Sequence, residues 1–178
     1  MISRFPTRGV AAMLALSTPA AACAQPADSA TEDAAAGQAA LALSEDDSAA
    51  AFTAAGFTFE NGVWGGCGDP GTASYVPGAI ETVADLNGDG NPEAVIVESS
   101  GYCFGAAGQG YSLVSKGSNG WTLLDSGQGM AVFLETTGEG GWPDLMVGGP
   151  GFCFPVLRWD GAQYVQYRFE YDDKPCVP

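Results

Sequence analysis

From Phe57 to the C-terminus the apolar positions come in short runs broken by glycine-containing turns, the pattern of a β protein rather than a helical one. Residues 57–60 and 63–65 flank Asn61-Gly62; residues 111–116 and 121–125 flank Ser118-Asn119-Gly120; residues 156–159 and 163–171 flank Asp160-Gly161. Each is a pair of strand-like segments around a hairpin turn signal. Ahead of them, Ser44-Glu45-Asp46-Asp47 has the form of a capping box with Asp in its last place. Ala49, Phe52 and Ala55 fall on one helical stripe that Gly56 ends. The pattern predicts one short helix, about 45–55, covering a face or edge of a sheet. Candidate core positions are Phe57, Phe59, Val83, Val95, Val97, Leu113, Leu123, Val132, Leu134, Leu145, Val147, Val156, Leu157, Val165 and Phe169.

The strand region repeats itself with a period of about 50 residues. Gly101-Tyr102-Cys103-Phe104 returns as Gly151-Phe152-Cys153-Phe154. Two such copies, about 79–126 and 130–171, are too few to close a propeller, which needs at least about four blades. The expected fold is therefore mainly β: two antiparallel sheets packed together, built from two four-stranded repeats, with the short N-terminal helix at the side. Residues 44–178 are read as one domain.

Between two predicted strands lies Asp85-Leu86-Asn87-Gly88-Asp89-Gly90-Asn91-Pro92-Glu93, followed by Ala94-Val95-Ile96-Val97. Oxygen-bearing side chains stand at Asp85, Asn87, Asp89 and Glu93, with Gly88 and Gly90 allowing sharp bends between them. Carboxylate and amide oxygens are hard donors and suit Ca²⁺. A plain polar turn is the alternative. An EF-hand is excluded, because its twelfth position, where a bidentate Glu is needed, is Ile96. The loop returns in degraded form at 135–144: Glu135, Thr137 and Glu139 keep the alternation, but the closing acid has slipped to Asp144, and this copy is expected to be metal-free.

Asp-x-Asn-x-Asp-Gly-x-x-Glu before an aliphatic strand resembles the calcium loop of FG-GAP/VCBS-type repeats, over roughly residues 79–148. The resemblance implies one Ca²⁺ held by the side chains of Asp85, Asn87, Asp89 and Glu93 and by the backbone carbonyl of Asn91. The family usually closes the loop with Asp, so Glu93 is a departure. Repeats of this type serve adhesion, binding and structural spacing, so the resemblance names no partner.

Residues 1–24 read as a secretory signal: Arg4 and Arg8, an apolar stretch from Gly9 to Leu16, and Ala22-Cys23-Ala24 as the cleavage site. A lipid anchor on Cys23 is the alternative. Residues 25–43, rich in Ala and scattered acids, read as a flexible tether. The remaining cysteines, Cys67, Cys103, Cys153 and Cys176, make an even set, which in an exported chain indicates two disulfides. The repeat suggests Cys67–Cys103 and Cys153–Cys176; the rival is Cys103–Cys153 with Cys67–Cys176.

The net charge is −15, and removal of Arg4 and Arg8 with the signal makes it −17. Only Lys116, Arg158, Arg168 and Lys174 remain as cations, which excludes charge-driven binding to nucleic acid or anionic lipid. No later segment is apolar enough to span a membrane. The chain has no His, so the usual general base, zinc ligand and Ser-His or Cys-His pairs are missing. Acid pairs such as Glu81/Asp85 or Glu98/Asp125 could serve a glycosidase, but are expected to be solvent-facing charge. The sequence thus favours a non-catalytic, calcium-stabilised binding module, periplasmic or secreted, with an unidentified protein or glycan partner. The alternatives are a carboxylate-dependent hydrolase of cell-wall or polysaccharide material and an inhibitor of a cationic enzyme such as lysozyme.

Overall fold

A computed structural model of the chain describes residues 42–178. The expected signal, residues 1–24, the Cys23 anchor site and nearly all of the expected tether, residues 25–43, lie outside them.

The helix forms where its cap predicts. Helix α1 spans Glu45–Ala54, and the Ser44 hydroxyl accepts from the Asp47 N–H at 3.1 Å. The reciprocal limb of a capping box is not made. The Asp47 carboxylate instead reaches Lys116 Nζ at 2.7 Å and Trp121 Nε1 at 3.4 Å, tying the helix to the sheet beneath it.

Eleven strands follow. They are β1 Thr58–Glu60, β2 Val63–Gly65, β3 Val76–Ala84, β4 Glu93–Ser99, β5 Gln109–Gly117, β6 Gly120–Gln128, β7 Met130–Thr137, β8 Pro143–Gly148, β9 Phe154–Trp159, β10 Tyr164–Tyr171 and β11 Lys174–Pro175. A one-turn helix, α2 (Gly101–Phe104), precedes β5. The strands make two antiparallel sheets in simple meander order, β1-β2-β3-β4-β5-β6 and β11-β10-β9-β8-β7. All three sequence-predicted hairpins are present. At the first turn both Asn61 (φ 53°) and Gly62 (φ 86°) are left-handed, the conformation that a two-residue hairpin loop between twisted strands requires.

Two apolar cores lie on opposite faces of the six-stranded sheet. On one face Ala51, Phe52 and Phe57 pack against Ala94, Ile96 and Val114, with the Phe52 ring stacked on Trp64 at 4.8 Å. A side chain the size of Phe52 contributes about 1.5–3 kcal/mol by such burial. On the other face Val95, Tyr111 and Leu113 meet Trp142, Leu145 and Tyr164 of the second sheet. The layers are therefore helix, sheet, sheet. Strand β4 is the middle of this stack, which is why Ala94-Val95-Ile96-Val97 reads as an unbroken apolar run rather than an alternating one.

Three expected core residues are exposed: Phe59 at 59 %, Leu123 and Val132. All three sit on edge strands of their sheets, β1, β6 and β7. The disulfides are Cys67–Cys103 and Cys153–Cys176, with Cα separations of 6.1 and 5.7 Å. The repeated tetrapeptide nevertheless adopts two structures. In the first copy it is α2, capped by the Ser100 hydroxyl, which accepts from the N–H groups of Tyr102 and Cys103. In the second it is a bend with Cys153 left-handed (φ 64°), running straight into β9.

Candidate metal centre

The loop between β3 and β4 is knit by its own acids. Asp85 Oδ1 accepts from the N–H groups of Gly88 (2.8 Å) and Asp89 (3.1 Å), and Oδ2 accepts from Gly90 (2.9 Å). Asn87 Oδ1 accepts from the same Asp89 N–H at 3.0 Å. Asp89 Oδ1 accepts from the backbone and side-chain N–H groups of Asn91, at 2.8 and 3.0 Å, and its Oδ2 from Asn87 Nδ2 at 3.1 Å. These bonds, that of the Asn91 N–H first among them, hold the Asp89 carboxyl below its ordinary range. Gly88 (φ 79°) and Gly90 (φ 88°) supply the two left-handed bends that let the chain curl around Asp85.

Glu93 behaves differently. It opens β4, is 1 % exposed, and spends its oxygens on the Leu86 N–H and the Ser115 hydroxyl, both at 2.7 Å. Burial pushes its carboxyl above the ordinary carboxylate range. The Ser115 and Leu86 bonds oppose the rise, and the nearby charges of Asp89 and Asp85 add to it. No Lys or Arg faces it among the described residues.

The structure thus brings Asp85, Asn87, Asp89 and Asn91 into one hydrogen-bonded loop, with Glu93 turned inward at its base. Among the described residues no three acidic side chains are already gathered as a closed metal shell. The donor set still fits a hard divalent cation. It offers three carboxylates and an amide oxygen, all hard donors, although in this structure those oxygens accept from N–H and hydroxyl groups of the chain.

The second loop is built on the opposite principle. Asp144, near the start of β8, is 0 % exposed. Arg158 grips it in bidentate fashion, Nε to Oδ1 and Nη2 to Oδ2, both at 2.8 Å. Arg168 Nη1 donates to Oδ2 at 2.7 Å and Thr136 Oγ1 at 2.6 Å. Burial would raise this carboxyl, but the Arg158, Thr136 and Arg168 hydrogen bonds outweigh it and hold it at about 2. The Tyr167 ring lies beside both guanidinium groups, its centroid 3.8 Å from Arg158 Cζ and 5.0 Å from Arg168 Cζ. Glu135, Thr137 and Glu139, the remnants of the alternating pattern, make no hydrogen bond to one another among the described residues; Glu135 and Glu139 are exposed.

The chain matches no protein-family model, and no curated protein or solved structure resembles it significantly.

Register relates the two loops. In the first sheet Glu93 stands opposite Ser115. In the second, Leu145 stands opposite Leu157 and Met146 opposite Val156, so one further step sets Asp144 opposite Arg158. Ser115 therefore occupies the place in the first copy that Arg158 holds in the second. The loops also touch: a methyl on Gly141 would lie 2.8 Å from the Asn87 carbonyl oxygen.

Arg158, Arg168 and Ser115 were not singled out from sequence. Arg158 and Arg168 flank the Asp160-Gly161 hairpin and are two of only four cations after residue 24, which is the signal that could have found them. Two acid expectations also change. Glu98 is 3 % exposed rather than solvent-facing, and burial raises the Asp125 carboxyl despite its bonds from the Tyr111 hydroxyl and the Ser126 N–H. Val97 pairs with Tyr111 and Leu113 with Asp125, so alternation puts Glu98 and Asp125 on opposite faces of the sheet. Glu81 is exposed as expected.

Proposed function

We propose that this chain is a non-catalytic, calcium-stabilised interaction module of the bacterial envelope or exterior. On this reading it is built on two FG-GAP/VCBS-like repeats, of which only the first, about 79–126, keeps its ion. One observation carries the reading. A buried acid stands at matching places in both sheets, gripped by two arginines in one and facing no protein cation in the other. A buried carboxylate without compensation costs several kcal/mol. Asp85, Asn87, Asp89 and Glu93, with the Asn91 carbonyl, supply the oxygens for one Ca²⁺, which would neutralise the acids and fix the turn between β3 and β4.

Two disulfides suit an oxidising compartment. Among the described residues no helix is long and apolar enough to cross a membrane. Lys116, Arg158 and Arg168 are all engaged in ion pairs with acids of the chain itself, so the surface left for a partner is acidic. That favours a cationic partner and disfavours nucleic acid. Placing Glu98 and Asp125 on opposite faces removes one carboxylate pair from the hydrolase reading. The test is thermal unfolding of residues 44–178 with calcium and then with chelator, paired with capture of partners from envelope extract under both conditions. An unchanged melting temperature would reduce the loop to a turn.

A further inference from the structure

Helix α1 covers only part of its sheet face. Beyond its end at Ala54 the same face continues into Glu98 of β4, Gly110 and Ser112 of β5, and Ser126 and Gln128 of β6, where Glu98 stands opposite Gly110 and Ser112 opposite Ser126. A cavity of about 290 Å³ lies there, open to solvent, between this polar strip and the rings of Phe57 and Phe104. Its glycines are what make room. The Phe104 ring lies directly over Gly110, where a Cβ would collide with it, and a Cβ on Gly66 would sit 3.2 Å from the Phe57 ring.

Among the described residues Glu98 is the one charged residue in its lining. Its side chain is held from behind: Oε1 accepts from the Gly66 N–H and the Tyr75 hydroxyl, both at 3.1 Å. Among the described residues Oε2 accepts no hydrogen bond and is not fully enclosed, in a residue that is 3 % exposed. The C-terminal end of α1, which carries partial negative charge and no basic residue in its last turn, contributes Ala55 and Gly56 to the wall. Among the described residues no Lys or Arg lines the cavity.

We propose that this cavity binds a primary alkylammonium group, with Glu98 Oε2 as its counter-charge, the Ser112 and Ser126 hydroxyls as further acceptors and the aromatic rings around its methylene stem. The choice of ammonium over guanidinium follows from Glu98. A guanidinium fork is best met by both oxygens of a carboxylate, and Oε1 is already taken twice; a single free oxygen suits a compact point donor. Aromatic faces beside the carboxylate add attraction for the same charge. The calcium loop contributes no residue to this cavity, so chelated protein should bind equally well.

The test is a titration followed by amide NMR shifts, using n-butylammonium, n-butanol as its neutral counterpart, and Nα-acetyl-lysine methylamide. Butylammonium is expected to give saturable shifts clustered at Gly66, Gly110 and Gly127, with a dissociation constant on the order of millimolar, the range open to so small a ligand. Butanol should give none. Tighter binding of the lysine derivative would identify the source as a side chain of a partner, and weaker binding would identify a free amine. Glu98→Gln should weaken butylammonium tenfold or more. Should that variant fail to fold, the wild-type contrast decides alone: equal shifts with butanol, or no saturable shifts with butylammonium, overturn the proposal.

Discussion

Strand β8 carries a buried acid as its second residue and β4 as its first, yet only one of them has arginines for neighbours. Asp144 is satisfied entirely from within the chain, by Arg158 across the ladder and by Arg168 from the next strand. Glu93, in the matching place, has a serine where the other copy has Arg158. Around Asp144 the flanking acids Glu135 and Glu139 stand in solvent; around Glu93, Asp85 and Asp89 are drawn into the loop. The difference teaches that one turn architecture can bury its acid with or without a guanidinium beside it. Where a strand delivers a guanidinium, the loop acids are free to drift; where it does not, they remain ordered oxygen donors.

The largest expected effect comes from breaking the arginine side. Asp144→Ala leaves two guanidinium groups facing a vacancy and should cost about 3–5 kcal/mol, measured by denaturant unfolding. The loss should be the same with and without calcium. If calcium restores it, the ion belongs to the second loop and the contrast is wrong.

Next is the ion itself. On the proposed reading an extracellular module needs only modest affinity, on the order of 10⁻⁴–10⁻³ M. At a hundredfold excess over that constant, calcium should add about 2.7 kcal/mol to wild-type stability. Asp89→Ala should abolish the response in calorimetry.

Ser115→Arg sharpens the comparison further, because it places beside Glu93 the residue that serves Asp144. It should raise the melting temperature in chelator and shrink the calcium increment to near zero. A variant that responds to calcium as the wild type does would show that Glu93 is not the acid the ion compensates.

Acid should separate the two loops by sign. The Asp144 carboxyl lies below its unfolded value, so its contribution is complete above about pH 4 and is lost as pH falls towards 2. The Glu93 carboxyl lies above its unfolded value, so in chelator its cost is greatest at neutral pH and eases as pH falls through its folded value. The calcium increment should therefore decline in mild acid, before the Asp144 network fails, as calorimetry across a pH series would show. Smallest of all, Glu139→Ala should change stability by no more than about 0.5 kcal/mol and leave the calcium response intact.

What the sequence revealed was local. Asn61-Gly62, Asp160-Gly161 and the cap at Ser44 act through neighbours a few residues away, and each formed its element. The loop of Asp85, Asn87 and Asp89 was legible for the same reason. What stayed hidden depends on which strands become neighbours. Phe59, Leu123 and Val132 have core-like patterns but fall on edges. Gly101-Tyr102-Cys103-Phe104 and its copy read alike, yet Ser100 caps the first into a helix while the second enters a strand. Glu98 reads as surface charge until Tyr75 and the Gly66 amide close over it. Arg158 and Arg168 meet Asp144 only because β9 and β10 bring them there.

The contact between Gly141 and the Asn87 carbonyl bears on modularity. Two sheets joined by a single residue, Gly129, invite the idea that each could be cut out and reused as a cassette. The first loop, however, has the second loop for its rear wall, and a side chain at Gly141 would press on that wall at 2.8 Å. The arginine-held loop thus remains part of the mould for the acidic loop beside it, and the pair is better regarded as one indivisible unit than as two beads on a string.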